Sequence, residues 1–110
     1  MGQDDLVPRP PRLSPDDVAA ALSSLPNWSG GVDGIERTLR LPSFRAAVEA
    51  ISMVADVAEE LDHHPDMDLR WTSVRIALVS HSAGGLTDMD LQLARRVDLL
   101  FPPGQEDDGA

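Results

Sequence analysis

Apolar residues recur at helical spacing in three stretches and alternate with polar ones in two. Val18, Ala21, Leu22 and Leu25 form the first helical stripe. Ser14 stands before it as an N-cap, with Pro15 at the first helical position and Asp16 and Asp17 at the positive end of the dipole. Pro26 is expected to stop this helix. A hairpin is expected from Trp28 to Leu41, with its turn at Asp33-Gly34. Ile35, Arg37, Leu39 and Leu41 share one strand face, and Arg37 is a misfit on it. The longest helix is expected from Ser43 to about Leu61. Phe44, Ala47, Val48, Ile51, Val54, Ala55, Ala58 and Leu61 read as one apolar stripe. Pro65 biases His64 away from helical dihedrals, so this helix ends before the His63-His64 pair. Met67–His81 reads as strand, with Val74, Ile76 and Leu78 on one face and Arg75, Ala77, Val79 and His81 on the other. A turn near Thr72-Ser73 would split it into a hairpin. Thr87 caps the last helix, with Asp90 three residues on as a short-armed capping box. Leu86 and Leu91 make a hydrophobic staple. Leu91, Ala94, Val97 and Phe101 carry the stripe to Pro102. The order is helix, two strands, helix, one or two strands, helix, an α+β two-layer domain.

Composition narrows what such a domain does. At 110 residues there is room for one domain. Residues 14–101 form it; residues 1–13 and 102–110 are proline-rich or acidic and read as mobile tails. The net charge of −10 opposes binding to nucleic-acid phosphates and to anionic membrane surfaces. With no cysteine, disulfides, thiolate metal sites and cysteine nucleophiles are excluded. No apolar run is long enough to span a membrane, and the N-terminus lacks a signal peptide's apolar stretch, so a cytoplasmic location is expected. All nine basic residues are arginine.

Chemistry concentrates on three histidines. His63 and His64 lie in the connection after the long helix, and His81 lies where the last strand ends. Imidazoles titrate near neutrality, so a pocket shared by these element ends suits acid–base work. Glu59 and Asp62 stand one turn or less before the pair and could orient a ring. Read from spacing alone, the same residues also fit an exposed turn. The pair lacks the i, i+4 spacing of a helical zinc site, so no metal is expected. Asp66 and Asp68 read as a solvated acidic face. Gly84-Gly85 matches no nucleotide-binding loop, and Ser80-His81-Ser82 matches no nucleophile elbow. Neighbours on a strand face opposite ways, so these serines are not natural partners of His81. Trp28 and Trp71 read as packing residues.

AEELDHHPD at 58–66, WTSVRIALVSH at 71–81 and GLTDMDLQLA at 85–94 resemble the pterin-4a-carbinolamine dehydratase family. The resemblance covers 14–101 and includes Trp28 and IERTLRLPSF upstream of the long helix. It implies a four-stranded antiparallel sheet packed against helices on one face, in the order α-β-β-α-β-β-α. It also implies a hydro-lyase that dehydrates 4a-hydroxytetrahydropterin to quinonoid dihydropterin, in recycling the pterin used by aromatic amino acid hydroxylases. On that resemblance His63 and His81 are the catalytic acid and base. His64, Glu59 and Asp90 serve substrate binding, with capping or orienting as Asp90's other reading, and no cofactor is used. The expected partners are the pterin and further copies of the chain, as a homodimer or homotetramer. Met67 departs from the family, which often carries an aromatic there on the expected pocket wall. Some relatives act instead as binding platforms, as Rubisco assembly factors or as a transcription-factor dimerisation cofactor. The complete histidine set favours the enzyme.

Overall fold

The computed structural model describes residues 10–102. Helix α1 (Pro15–Leu22) begins where the Ser14 hydroxyl accepts the Asp17 N–H at 3.1 Å. It ends at Leu22, short of Pro26. The Ser23 and Ser24 hydroxyls donate back to the Ala20 and Ala21 carbonyls at 2.6 and 2.9 Å, local bonds that compete with a further turn. Leu25 is buried from outside the helix.

Strands β1 (Ser29–Gly31), β2 (Gly34–Arg40), β3 (Asp66–Arg70) and β4 (Ser73–Leu78) form one antiparallel sheet in the order β1-β2-β4-β3. Both hairpins turn one residue earlier than expected. Val32-Asp33 links β1 to β2, and Trp71-Thr72 links β3 to β4. Gly34 is set by close approach: a Cβ there would lie 3.1 Å from the Leu78 carbonyl oxygen across the sheet. Trp71, at the first central position of the β3–β4 turn, has φ +57, a left-handed value that glycine adopts more readily. Its side chain does not pack; the residue is 80% exposed.

Ile35, Leu39, Val74, Ile76 and Leu78 point to one side of the sheet. There they meet Ala47, Ala50, Val54 and Val57 of α2 (Phe44–Leu61) and Leu91, Leu93, Ala94 and Val97 of α3 (Asp88–Leu100). Met67 also packs against this core rather than on a pocket wall. Arg37 shares the inward face at 2% exposure, because α3 brings a counter-charge to it. Its Nη1 donates to Asp98 Oδ1, which also accepts the Trp28 indole N–H at 2.9 Å. On the outer face Arg75 donates to Glu36 at 2.7 and 3.1 Å and to Asp68 at 2.9 Å. These bonds, Glu36's first, raise its pKa above the usual arginine value.

The buried side of α2 is rotated from the expected stripe. Small Ala47, Ala50 and Ala58 allow close approach to the sheet, while Phe44 and Val48 stay exposed. Leu13, placed in the expected tail, donates its N–H to the Leu86 carbonyl at 2.8 Å and packs against the core. The rest of the two expected tails lies mostly outside the described residues. Among the described residues, no helix is long and apolar enough to cross a membrane.

Candidate active site

Helix α2 ends at Asp62, which adopts the left-handed conformation with φ 53. Aspartate tolerates this better than most residues. The His63 N–H then donates to the Ala58 carbonyl at 3.0 Å, so the chain folds back over the helix end. This turns His63 inward to 9% exposure and leaves His64 outside. Beyond β4 the chain leaves the sheet and makes a 3-10 turn at His81–Ala83, so His81 sits on a turn rather than on a strand.

All three histidines line one cavity of about 420 Å³, together with Asp62, Val79, Ser80 and Ser82. His63 is held from behind. Its Nε2 lies 2.6 Å from Oδ1 of Asp90, a residue with no exposed surface. Asp90 Oδ2 accepts the Ser80 hydroxyl at 2.8 Å and the Thr87 N–H at 2.9 Å. A carboxylate only accepts, so with Asp90 ionised the hydrogen of the short contact belongs to His63 Nε2, and Nδ1 takes no part in that contact. His64 Nε2 meets Glu59 Oε2 at 2.7 Å in an exposed pair one turn from the helix end. His81 and Ser82 are solvent-exposed at the cavity mouth.

The sequence-derived site therefore divides. His63, His64 and His81 come together. Glu59 stands behind His64, and Asp90 lies beneath His63 instead of on the cavity lining. Asp90 serves its capping box at the same time: Thr87 Oγ1 accepts the Met89 N–H at 3.2 Å, and Asp90 accepts the Thr87 N–H. Ser80 is a site residue the sequence reasoning passed over. A signal existed, since it continues the inward series Val74, Ile76, Leu78, where a polar side chain needs a buried partner.

The structure is a two-layer α+β domain with imidazoles around one small cavity and one ring fixed by a buried carboxylate, groups of the kind that acid–base chemistry on a small molecule uses. The family model for pterin 4 alpha carbinolamine dehydratase matches residues 11–100. A relative from Mycolicibacterium smegmatis, provisionally named a pterin-4-alpha-carbinolamine dehydratase, is 45% identical over 89 residues, 81% of this chain and 95% of its own. One from Nocardia farcinica with the same provisional name is 48% identical over 88 residues, 80% of this chain and 93% of its own. The chain belongs to the pterin-4a-carbinolamine dehydratase family. Among solved structures, a transcriptional coactivator/pterin dehydratase from Brucella melitensis superposes with a TM-score of 0.76 at 31% identity, over 81% of this chain and 97% of that one. A pterin dehydratase-like protein identified as a RuBisCO assembly factor in the alpha-carboxysome shares the fold, with a TM-score of 0.54 at 23% identity over 66% and 84% of the two chains.

Proposed function

We propose that this protein is a hydro-lyase that dehydrates 4a-hydroxytetrahydropterins such as 4a-hydroxytetrahydrobiopterin. The products are quinonoid dihydropterin and water; a separate two-electron reduction of the dihydropterin then regenerates the tetrahydropterin used by aromatic amino acid hydroxylases. The observation that carries this reading is the convergence of three imidazoles on one cavity, with His63 locked onto a buried carboxylate. The bond from carbon 4a to the hydroxyl oxygen breaks, and the oxygen takes a proton and leaves as water. The ring gives up an N–H proton as its new double bond forms. One proton enters and one leaves, with no change of oxidation state.

His63, through Nδ1, and His81 supply the acid and the base. His64, steadied by Glu59, binds the pterin. Asp90 positions His63 instead of touching substrate. The cavity of about 420 Å³ lies within the range of small-molecule sites. The protein works as a homodimer or homotetramer in the cytoplasm. The exposed apolar Phe44 and Val48, one turn apart on α2, and the edge of β3, unpaired among the described residues, support association, since both are surfaces of the kind a second copy covers. Light scattering that gives the mass of one chain at micromolar concentration would refute that part.

The test of function is dehydration of synthetic 4a-hydroxytetrahydropterin, followed by absorbance against the spontaneous reaction. Acceleration that disappears in His63→Ala and His81→Ala is the expected result. No acceleration by wild-type protein refutes the enzyme reading and leaves the binding-platform role.

A further inference from the structure

Resting on the proposed dehydratase reading, we propose that Ser80 is a positioning residue that couples the two catalytic imidazoles. It immediately precedes His81, and its main chain closes the loop that carries that residue. The Ser80 N–H donates to the Gly85 carbonyl at 3.1 Å, and its carbonyl accepts the Gly85 N–H at 3.3 Å and the Ala83 N–H at 3.0 Å. Gly85 at the loop's base is itself fixed. A Cβ there would lie 2.6 Å from the Val32 carbonyl oxygen, and the next residue, Leu86, donates its N–H to that oxygen at 2.8 Å. The loop is anchored at its far end by Gly85 and Leu86, so the orientation of its near end depends on how Ser80 is held.

The side chain does the holding. Ser80 Oγ is buried and donates to Asp90 Oδ2 at 2.8 Å, and it lies 2.8 Å from Thr87 Oγ1. With the Ser80 hydrogen spent on Asp90, Thr87 donates to Ser80 Oγ. The other oxygen of Asp90 holds His63. One hydroxyl thus shares with the Thr87 N–H in orienting the carboxylate under His63 and ties down the residue that leads into the His81 turn. The cap of α3 does not need it, because Thr87 and Asp90 keep their own reciprocal bonds. Removing the hydroxyl therefore disturbs the spacing of the two rings without removing the helix start. A misplacement of about 1 Å at a reacting group costs up to about 100-fold in rate.

The experiment compares Ser80→Ala, Ser80→Cys and Ser80→Thr with wild type by steady-state dehydration kinetics. It also uses long-range nitrogen–proton spectra of the histidine side chains in uniformly nitrogen-labelled protein. Alanine and cysteine are expected to lower kcat by about 10- to 100-fold with KM changed less than about 3-fold. Threonine keeps the hydroxyl and should restore kcat to within about 3-fold. The spectra should show the His63 Nε2 proton signal shifted in the alanine and cysteine variants and restored in the threonine variant. In a His63→Ala background, Ser80→Ala should have little further effect on kcat. Cysteine keeps the shape of serine, slightly enlarged and with only a weak donor, and keeps the test open if alanine perturbs folding. A Ser80→Cys enzyme with wild-type kcat and an unmoved His63 signal overturns the inference while the dehydratase reading stands. If wild type fails to dehydrate the pterin, the spectra still decide whether Ser80 governs His63.

Discussion

Replacing Asp98 by alanine removes a carboxylate that two inward donors share. Arg37 Nη1 and Trp28 Nε1 both reach Asp98 Oδ1, and the Arg37 side chain is 1% exposed against 14% for Asp98. Removing the carboxylate that pairs with a buried charge costs about 3–5 kcal/mol. The indole N–H loses its acceptor too, about 1–3 kcal/mol alone, but the two losses share one atom and do not add. A total near 4 kcal/mol is a large part of the 5–15 kcal/mol that typically holds a domain together. Arg37→Met should cost less. It leaves a carboxylate nearer to water that keeps the Trp28 donor, and it fills the core with an apolar chain of similar length. Urea unfolding followed by far-ultraviolet circular dichroism, at one fixed protein concentration, measures both. With m of about 1–1.5 kcal/mol/M, Asp98→Ala should lower the midpoint by about 3 M and Arg37→Met by less than half as much. A midpoint for Asp98→Ala within roughly 0.3 M of wild type, about a tenth of the expected shift, would refute the account. So would an Arg37→Met protein less stable than Asp98→Ala.

His63→Ala and His81→Ala should each lower kcat by about 10²–10⁴-fold with the fold intact by circular dichroism, and the double variant should be little worse than either. Full additivity would show that the two rings act independently. His64→Ala should act mainly on KM, so a kcat loss as deep as that of His63→Ala would move His64 into the proton transfer. Trp71→Gly should relieve the positive φ in the β3–β4 turn and raise stability by about 0.5–1 kcal/mol, seen as a Tm rise of about 3–6 °C; a fall would show that the exposed indole has a partner. Leu13→Ala should cost about 1–2 kcal/mol in urea unfolding, less than a fully buried leucine, and no change would return residue 13 to the tail.

Local chemistry made most of the fold legible from residues. Ser14, Ser43 and Thr87 cap the three helices where the sequence places them, because a side-chain oxygen beside an apolar stripe has one best use. Period-two alternation oriented β2 and β4 correctly, down to the inward arginine. It could not say why that arginine faces inward, since the answer sits on α3 at Asp98. Turn positions slipped by one residue because Gly34 answers to a neighbouring strand and Trp71 occupies a conformation its residue type rarely adopts. The three histidines were visible as chemistry, and their meeting in one cleft follows from their placement at element ends and the family resemblance; the Asp62 reversal and the 3-10 turn that bring it about were not legible. Ser80 was set aside as an unsuitable partner for His81. Its partner is Asp90, and that contact belongs to tertiary structure.

The antiparallel pairing of β2 with β4 sets Ile35 opposite Leu78, and the carboxylate that holds His63 comes 27 residues after it. During synthesis all three histidines therefore leave the ribosome before the residue that fixes one of them. A nascent chain ending at Leu86 contains the His81 turn and both hairpins, yet it lacks Asp90 and the Leu91, Leu93, Ala94 and Val97 side chains that close the core. Pairings this distant form late, because the chain between them must be ordered first. The α2 stripe and the inward face of β4 are meanwhile open to water and to chaperones. The buried carboxylate that holds His63 then arrives with the final helix, in the same step that shields the apolar core.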